Sequence, residues 1–261
     1  MKEKMSTQDW ERKLKQQSEE SAEYRHRLYE RVDLKNKDEI LDIGCGTGAI
    51  LRDMAEITNG RITGVDIDEE KLEIARNYTD DLDNVKIMNG DMADLPFDDN
   101  SFDLVTFHIV LVYVKDQRRA MEECVRVTKP GGTILASLEP DYEGDIQFPE
   151  DPARDIHLRW MESLGADLRC GRKLKFLFAS VGLKTEVGME SESEYLHIRD
   201  DKKKLEMFRD QRWVYEKMLE DAGWPPERIE GYLIKQEDLI HRGLKFHFPT
   251  AFYAMGKLSD K

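Results

Sequence analysis

Short apolar runs alternate with more polar, amphipathic stretches between residues 39 and 139. Five of these runs have the length and composition of strands, and they cover residues 39–43, 61–66, 85–89, 102–109 and 133–138. Segments with helical spacing lie between them, at residues 49–57, 69–78 and 118–128. Because strands that alternate with helices form parallel sheets covered on both faces, the pattern predicts an α/β fold with a doubly wound, mainly parallel sheet.

The pattern changes on both sides of this core. The lead-in is polar with helical spacing, and the region after the core is mostly helical, with Leu205, Phe208, Tyr215 and Leu219 on one stripe. Short strands are predicted within residues 184–189 and 250–258. We therefore predict four parts: an N-terminal helical lead-in at 1–34, an α/β core at 35–150, a helical elaboration at 151–245 inserted before the last strand, and a closing strand at 246–261.

The first predicted strand runs directly into a glycine-rich loop. Residues 40–43 are Ile-Leu-Asp-Ile, and Gly44-Cys45-Gly46-Thr47-Gly48 follows, ahead of a helix. Glycines allow positive φ and the close approach of a ligand, and a helix N-terminus offers unpaired N–H groups. Doubly wound sheets bind nucleotides at this crossover. The glycine spacing is tighter than the Gly-x-Gly-x-x-Gly of dinucleotide sites, which argues against a nicotinamide-dependent oxidoreductase.

Two carboxylates follow the next strands. Asp66 ends the second strand, 18 residues after Gly48, where a carboxylate can accept both hydroxyls of a ribose. A helix-capping role is the alternative, and Asp68 is better placed for it. Asp91 follows the third strand, where its carboxylate can accept from an adenine amino group, with a plain turn as the alternative. Together with the loop, these positions predict a nucleoside site.

Charge and cysteine content narrow the classes of partner. The formal net charge of the 261-residue chain is -14, and residues 66–103 hold 13 acidic against 3 basic residues. Such stretches would repel a phosphate backbone, so we expect no nucleic-acid partner. Three cysteines without metal-ligand spacing predict a reduced, cytoplasmic protein and no metal site. No signal peptide or apolar run of membrane-spanning length is present in the sequence, so we expect no membrane partner.

Two further sequence motifs follow the glycine loop and the two carboxylates along the chain. They are Leu95-Pro96-Phe97 leading to residues 101–105, and the stretch from Val125 to Gly132. With the glycine loop and the two carboxylates, the region Glu39–Glu139 resembles class I S-adenosylmethionine-dependent methyltransferases, in the small-molecule group that includes ubiquinone and menaquinone biosynthesis enzymes. The resemblance implies a seven-stranded, Rossmann-like methyltransferase fold with S-adenosylmethionine as its cofactor.

The resemblance also implies the cofactor contacts. The methionine part would lie among the loop residues Asp42, Gly44, Cys45, Gly46 and Gly48. Asp66 would hold the ribose, Ile67 would pack on the adenine face, and Asp91 with Met92 would read the adenine edge. His108, just past the fourth strand, would face both the cofactor and the acceptor.

Substrate-side candidates lie at the carboxyl ends of the strands. We predict His108, Tyr113 and Glu139 as catalytic residues, with a structural histidine and a loop-capping acid as the alternatives for His108 and Glu139. Methyl transfer from a sulfonium is a direct displacement, so a general base helps only if the accepting atom must lose a proton. Residues 107–110 lack the Asn/Asp-Pro-Pro-Tyr/Phe block of enzymes that methylate amino groups of bases or glutamine.

The sequence therefore predicts an S-adenosylmethionine-dependent methyltransferase with a small-molecule acceptor. A protein or RNA methyltransferase on the same fold is the first alternative. A non-catalytic S-adenosylmethionine-binding paralogue is the second. Neither the acceptor nor the oligomeric state follows from the sequence, because nothing in residues 140–245 matches a motif tied to a named substrate.

Overall fold

A computed structural model describes residues 7–189 and 201–259. Its helices are α1 Thr7–Glu20, α2 Ala22–Arg31, α3 Ala49–Ile57, α4 Glu69–Tyr78, α5 Gln117–Val127, α6 Arg154–Ser163, α7 Cys170–Ser180, α8 Asp201–Asp210, α9 Arg212–Asp221 and α10 Pro226–His241. Its strands are β1 Glu39–Ile43, β2 Arg61–Asp66, β3 Val85–Asn89, β4 Phe102–His108, β5 Thr128–Pro140, β6 Ile146–Phe148, β7 Lys184–Gly188, β8 Phe246–Phe248 and β9 Ala251–Lys257.

Seven strands form the main sheet, in the order β3-β2-β1-β4-β5-β9-β7. The strands from β3 to β5 are parallel neighbours, and β9 is antiparallel to both β5 and β7. The mainly parallel, doubly wound sheet predicted from the sequence is therefore confirmed. The strand order reverses direction beside β1, which brings the carboxyl ends of β1, β2 and β4 together at the position where such sheets bind ligands.

Apolar strand faces and helix stripes account for this arrangement. The central strands are almost wholly buried, as continuous apolar runs in parallel sheets are, with Ile40, Leu41, Leu104 and Val105 fully covered. Asp68 caps the N-terminus of helix α4, and its carboxylate accepts hydrogen bonds from two amides of the first turn. This confirms the cap predicted for Asp68 and leaves Asp66 outside the helix.

The N-terminal lead-in forms two helices that break at Ser21 rather than one. Helix α2 covers one side of the sheet, where Tyr24, Leu28 and Tyr29 are buried. Helix α1 lies against α3 and α4, across the glycine loop. Residues 1–6 of the predicted lead-in lie outside the described part of the chain.

The region predicted as one helical elaboration, 151–245, divides between two structural roles. Helix α7 packs on β9 and β5, and β7 pairs with β9 at the edge of the main sheet, so residues 170–188 belong to the core. Helices α6, α8, α9 and α10 form a helical cap in which α9 contacts each of the other three, and their buried side chains join the hydrophobic core of the sheet. Of the predicted elaboration 151–245, these four helices form the cap, whereas α7 and β7 belong to the core.

The segment predicted as a closing strand also divides. β9 joins the main sheet, whereas β8 pairs with β6 in a separate two-stranded sheet. Strand β5 begins at Thr128, so residues 129–132, which lie between the predicted helix at 118–128 and the predicted strand at 133–138, are already extended. Gly131 provides the positive φ, +74°, that this stretch needs. Among the described residues, no helix is long and apolar enough to cross a membrane.

Candidate functional site

The glycine loop lies where the carboxyl ends of β1, β2 and β4 meet. Gly44, Gly46 and Gly48 have φ values of +70°, +53° and +83°, which a residue with a side chain adopts only at a cost. The amides of Gly44 and Cys45 donate to the carbonyl oxygen of Val65, at 2.6 and 3.0 Å. The end of β2 therefore fixes the loop, whose last glycine leads into α3.

Asp66 joins the loop to the second strand. One carboxylate oxygen, Oδ2, accepts a 2.9 Å hydrogen bond from the Gly46 amide, and Oδ1 accepts one of 2.9 Å from the Asp68 amide. Each oxygen has a second lone pair, and the side chain is largely buried. Asp66 thus shapes the loop and keeps accepting capacity for hydroxyl groups of a ligand.

Asp42 is a buried carboxylate at the end of β1. It is 2% exposed, and within the described part of the chain no residue donates a hydrogen bond to its side chain. Burial raises its pKa to about 8, the Arg25 charge opposes this, and the Asp66 charge adds to it. The buried group is therefore costly to ionise in the ligand-free protein, and a cationic group of a ligand would favour its ionised form.

The adenine-side candidates differ in how far they reach the surface. Ile67 is a large apolar side chain that is 69% exposed. Met92 is buried. Asp91 is exposed, and its Oδ1 accepts a 2.9 Å hydrogen bond from the Ala93 amide. The Asp91 turn is therefore preorganised, and the second carboxylate oxygen makes no further contact among the described residues.

Cys45 differs from the glycines of the loop because it carries a side chain, and that side chain is buried. Its side chain is buried beneath the loop, and a Cβ placed on Gly64 would lie 3.0 Å from its sulfur. Burial raises the pKa of the thiol well above its usual value. Because the thiol packs against β2, Cys45 can meet a ligand only through its backbone.

His108 ends β4 and is held from both sides. Its Nδ1 lies 2.9 Å from the Ser137 hydroxyl on β5, and its Nε2 lies 3.4 Å from the Ser21 hydroxyl. The Tyr24 ring stacks on the imidazole at 6.3 Å. Burial lowers the pKa of His108 well below its ordinary value, and the Arg25 charge lowers it further. The imidazole is therefore neutral near pH 7.

Glu139 is a loop anchor in this structure. It is fully buried, its Oε1 accepts from the amides of Val110 and Leu111 at 2.9 Å each, and its Oε2 accepts from Val112 at 3.0 Å. Burial raises the pKa of Glu139 to about 7, and these amide donors oppose the shift. With its oxygens occupied, Glu139 positions the turn after β4 rather than facing an acceptor.

Tyr113 lies on that same turn, at Leu111–Tyr113. The side chain is half-buried, and burial raises its pKa to about 12, while the neighbouring Tyr142 hydroxyl lowers it. The Tyr142 ring in turn meets His157 of α6 edge-on at 5.8 Å. Tyr113 therefore belongs to a row of aromatic side chains that leads from the strand ends toward the helical cap.

The N-terminal helices contribute site residues that sequence reasoning missed. A Cβ on Gly46 would lie 2.9 Å from Leu14 of α1, so α1 covers the loop directly. Arg25 of α2 is fully buried, and its guanidinium bonds Asp53 at 2.6 Å and Ser21 at 2.7 Å. The sequence did contain one signal for these residues: Arg25 is a cation between Tyr24 and Leu28 on the apolar face of a predicted helix.

Comparisons with known proteins agree with this geometry. Residues 41–136 match the family described as "Methyltransferase domain". Demethylmenaquinone methyltransferase of Staphylococcus aureus is 38% identical over 119 residues, which are 45% of this chain and 49% of that protein. The chain therefore spans about half the length of the curated relatives it matches.

Solved structures resemble the whole fold. YcgJ from Bacillus subtilis superposes with a TM-score of 0.59 at 19% identity, over 91% of this chain and 99% of that one. A SAM-dependent methyltransferase from Aquifex aeolicus gives a TM-score of 0.56 at 18% identity, over 71% and 92%. At these identities the comparison shows the fold.

The fold is that of doubly wound α/β proteins, which bind ligands at the strand ends where the glycine loop lies. Residues 41–136 match a methyltransferase domain, and the chain resembles class I S-adenosylmethionine-dependent methyltransferases, among them a demethylmenaquinone methyltransferase. The resemblance inferred from the sequence is confirmed.

Proposed function

We propose that this protein uses S-adenosylmethionine to methylate a small-molecule acceptor. The observation that carries the proposal is the buried Asp42 carboxylate, which lies beside a loop that Asp66 holds in place. The ligand that fits needs a cationic group for Asp42 and hydroxyl groups for Asp66. S-adenosylmethionine has both, in its methionine ammonium and its ribose.

The residues present fit the rest of this cofactor. Gly44, Gly46 and Gly48 leave the loop backbone open to close approach. Ile67 offers an exposed apolar side chain for the adenine face, and Asp91 with Met92 would hold the adenine edge. Cys45 would contribute its backbone alone. His108 would lie between cofactor and acceptor.

Bound S-adenosylmethionine supplies an activated methyl group on sulfur for direct displacement. The chain's own task is to hold the accepting atom in line with that group and to keep water out, and positioning alone can contribute on the order of 7 kcal/mol. The turn anchored by Glu139 places Tyr113 beside the strand ends. The helical cap and α1 cover the same edge.

A small acceptor fits the enclosure of this edge. Lys13 of α1 lies over the Trp160 ring of α6 at 5.6 Å, and Arg12 lies over Trp213 of α9 at 5.2 Å. These contacts join α1 to the cap above the loop, which favours a molecule small enough to be enclosed. A relative named for a quinone methyl acceptor supports the same class.

Charge and cysteine content support two further parts of the proposal, the absence of a nucleic-acid partner and a cytoplasmic location. The net charge of -14 disfavours nucleic acid as a partner, and three buried free cysteines are consistent with a reducing, cytoplasmic compartment. A protein or RNA acceptor and a non-catalytic binding role are the alternatives that an experiment must separate.

Thermal unfolding with S-adenosylmethionine, S-adenosylhomocysteine and NAD tests the cofactor. At about 100 times its Kd a ligand adds roughly 2.7 kcal/mol, which for this chain length raises Tm by roughly 5–10 °C. We expect the shift with both adenosyl ligands and none with NAD. Absence of any shift would remove the proposal and favour a protein without this cofactor.

A transfer assay then tests the acceptor class. The protein is incubated with methyl-labelled S-adenosylmethionine and, separately, with the metabolite, RNA and protein fractions of a bacterial extract. We expect label in the metabolite fraction. Label confined to RNA or protein would contradict the small-molecule assignment, and cofactor binding without transfer to any fraction would favour the non-catalytic alternative.

A further inference from the structure

The two-stranded sheet formed by β6 and β8 has one face made only of apolar side chains. Within the described part of the chain, these strands pair only with each other, and the register joins Ile146 to Phe248 and Phe148 to Phe246. Side chains of directly paired residues lie on the same face, and alternate residues of a strand share a face. The four side chains therefore form one surface, which we call the apolar ribbon.

The apolar ribbon is open to solvent. Phe148 is 70% exposed and Ile146 is 59% exposed, and Phe246 is exposed as well. Leu244, two residues before Phe246, extends the exposed apolar surface. Four of the eight large apolar side chains that are exposed in the described ranges thus lie in or beside this sheet. Because an isolated two-stranded sheet is only marginally stable in water, a partner on this face would stabilise it.

The protein itself uses the opposite face of the same sheet. His247 lies there, with its Nε2 at 3.5 Å from Oδ2 of Asp145. Lys245, which has the same orientation as His247 along the chain, donates to Oε1 of Gln236 at 2.7 Å and lies 3.8 Å from Oδ2 of Asp151. The inner face is therefore tied to the rest of the fold, and the ribbon faces away from it.

Opposite charges flank the ribbon at one end. Glu150 follows β6, is exposed and forms no ion pair within the described part of the chain. Arg242 precedes β8, and its side chain is 60% exposed beside Asp238. Because β6 and β8 are antiparallel, the end of β6 and the beginning of β8 lie at the same end of the sheet. The β6 side is therefore acidic there and the β8 side basic.

Two copies of the chain can stack their ribbons in two aligned ways, with the sheets about 10 Å apart. A two-fold axis across the strands places each β6 over the other β6, and the Glu150 end of one copy then meets the Asp145 end of the other. A two-fold axis along the strands places β6 over β8. Phe148 then lies over Phe246, and Glu150 faces Arg242. Only the second arrangement brings opposite charges together.

We propose that the apolar ribbon is the interface of a homodimer, in which a two-fold axis along the strands stacks β6 of each copy on β8 of the other. Such an interface is isologous, so one self-complementary patch serves both copies. A fully covered aromatic side chain buries about 150–250 Å², and a ribbon of this size therefore gives a small, reversible interface. We expect a Kd on the order of 100 µM. The inference does not depend on the proposed function.

Sedimentation of the full chain from about 5 to 500 µM tests the oligomeric state. The salt concentration is ~0.15 M, where repulsion between the acidic surfaces is screened beyond about 8 Å. We expect a monomer at the lowest concentration and an increasing fraction of dimer above it. A monomer at every concentration would overturn the proposal.

A serine substitution in the ribbon shows whether that face forms the dimer. Phe148→Ser should raise the dimer Kd at least tenfold. Phe176→Ser is the matched control, because Phe176 on α7 is 74% exposed and lies outside the ribbon, and this variant should keep Kd within twofold. The Tm of each variant confirms that it is folded. Equal effects of the two substitutions would exclude the ribbon as the interface.

A charge exchange tests the direction of the two-fold axis. Glu150→Lys and Arg242→Glu should each weaken the dimer, and the two together should restore it. Arg118→Glu changes the net charge by the same amount in another exposed pair, with Glu122, and should leave the dimer unchanged. A double variant that is weaker than both single variants would overturn the stacking of β6 on β8.

Vesicles of phosphatidylcholine test a lipid surface as the other occupant. These vesicles carry no net charge, so the acidic surface of the protein does not by itself prevent binding. We expect the wild-type protein to remain unbound when the vesicles are floated on a density gradient. Flotation of the wild type but not of Phe148→Ser would assign the ribbon to a lipid surface and overturn the dimer.

Discussion

The Gly46 amide donates a 2.9 Å hydrogen bond to Oδ2 of Asp66, which links the glycine loop after β1 to the end of β2. The other oxygen of Asp66 holds the Asp68 amide at the start of α4. One side chain therefore sets the relative positions of two strand ends and of a helix. The residue that would hold the ribose is also the residue that shapes the loop.

Asp66→Ala should weaken S-adenosylhomocysteine binding and lower Tm together. Two amides lose their acceptor, and because an unmade hydrogen bond costs about 1–3 kcal/mol, Tm should fall. The ribose hydroxyls of the ligand lose their acceptor as well, so Kd should rise at least tenfold. Asp68→Ala is the matched control, because it removes a helix cap worth about 1 kcal/mol and should leave Kd within twofold. Calorimetry measures both, and equal losses of affinity would contradict the separate roles.

Asp42→Asn should raise the Tm of the ligand-free protein, and more so at pH 8 than at pH 5. The pKa of Asp42 is raised from 3.8 to about 8 in the folded protein. Between these values the folded chain keeps a proton that the unfolded chain has lost, so the free energy of unfolding falls as pH rises. Asparagine removes this dependence.

The same variant should bind S-adenosylhomocysteine at least tenfold more weakly, because it lacks the charge that faces the ammonium. Melting curves from pH 5 to 8 with and without ligand measure both effects. A Tm difference that does not change with pH would mean that Asp42 is ionised in the folded protein.

Glu139→Gln should destabilise the protein without weakening S-adenosylhomocysteine binding. The amide nitrogen of glutamine cannot accept from a backbone N–H, so part of the bonding to Val110, Leu111 and Val112 is lost. The expected cost is about 1–3 kcal/mol, or several degrees in Tm. Glu143→Gln, the same change in a surface pair with Arg169, should cost less than about 0.5 kcal/mol. Unchanged Tm with abolished transfer would instead identify Glu139 as a catalytic residue.

Gly46→Ala should impair S-adenosylhomocysteine binding beyond its effect on stability. A side chain at φ +53° costs roughly 1–2 kcal/mol, and the new Cβ would lie 2.9 Å from Leu14. Adding Leu14→Ala should relieve the contact but not the backbone cost. Gly182→Ala, also at positive φ but with open space around it, should lower Tm and leave ligand affinity intact. Titration calorimetry compares these three variants with the wild type. A Gly46→Ala affinity equal to that of the wild type would show that the loop tolerates a side chain.

Local patterns were sufficient to predict the core and the loop. Apolar runs, glycine spacing and the acids after two strands are each short-range signals, and the sheet order brought their residues together as expected. Glu139 shows the limit of such signals. Its position after the predicted strand 133–138 indicated a site acid, but its bonds to three amides of the turn after β4 depend on the pairing of β4 with β5.

The sequence by itself determined the doubly wound sheet, the glycine loop and the strand-end acids, because strand periodicity and positive-φ glycines are encoded within a few neighbouring residues. Tertiary structure alone decided what surrounds them. Arg25 meets Ser21 and Asp53, and His108 meets Ser137, only after helices and strands distant in sequence pack together. Burial, which sets the protonation of Asp42 and His108, is likewise a property of the assembled fold.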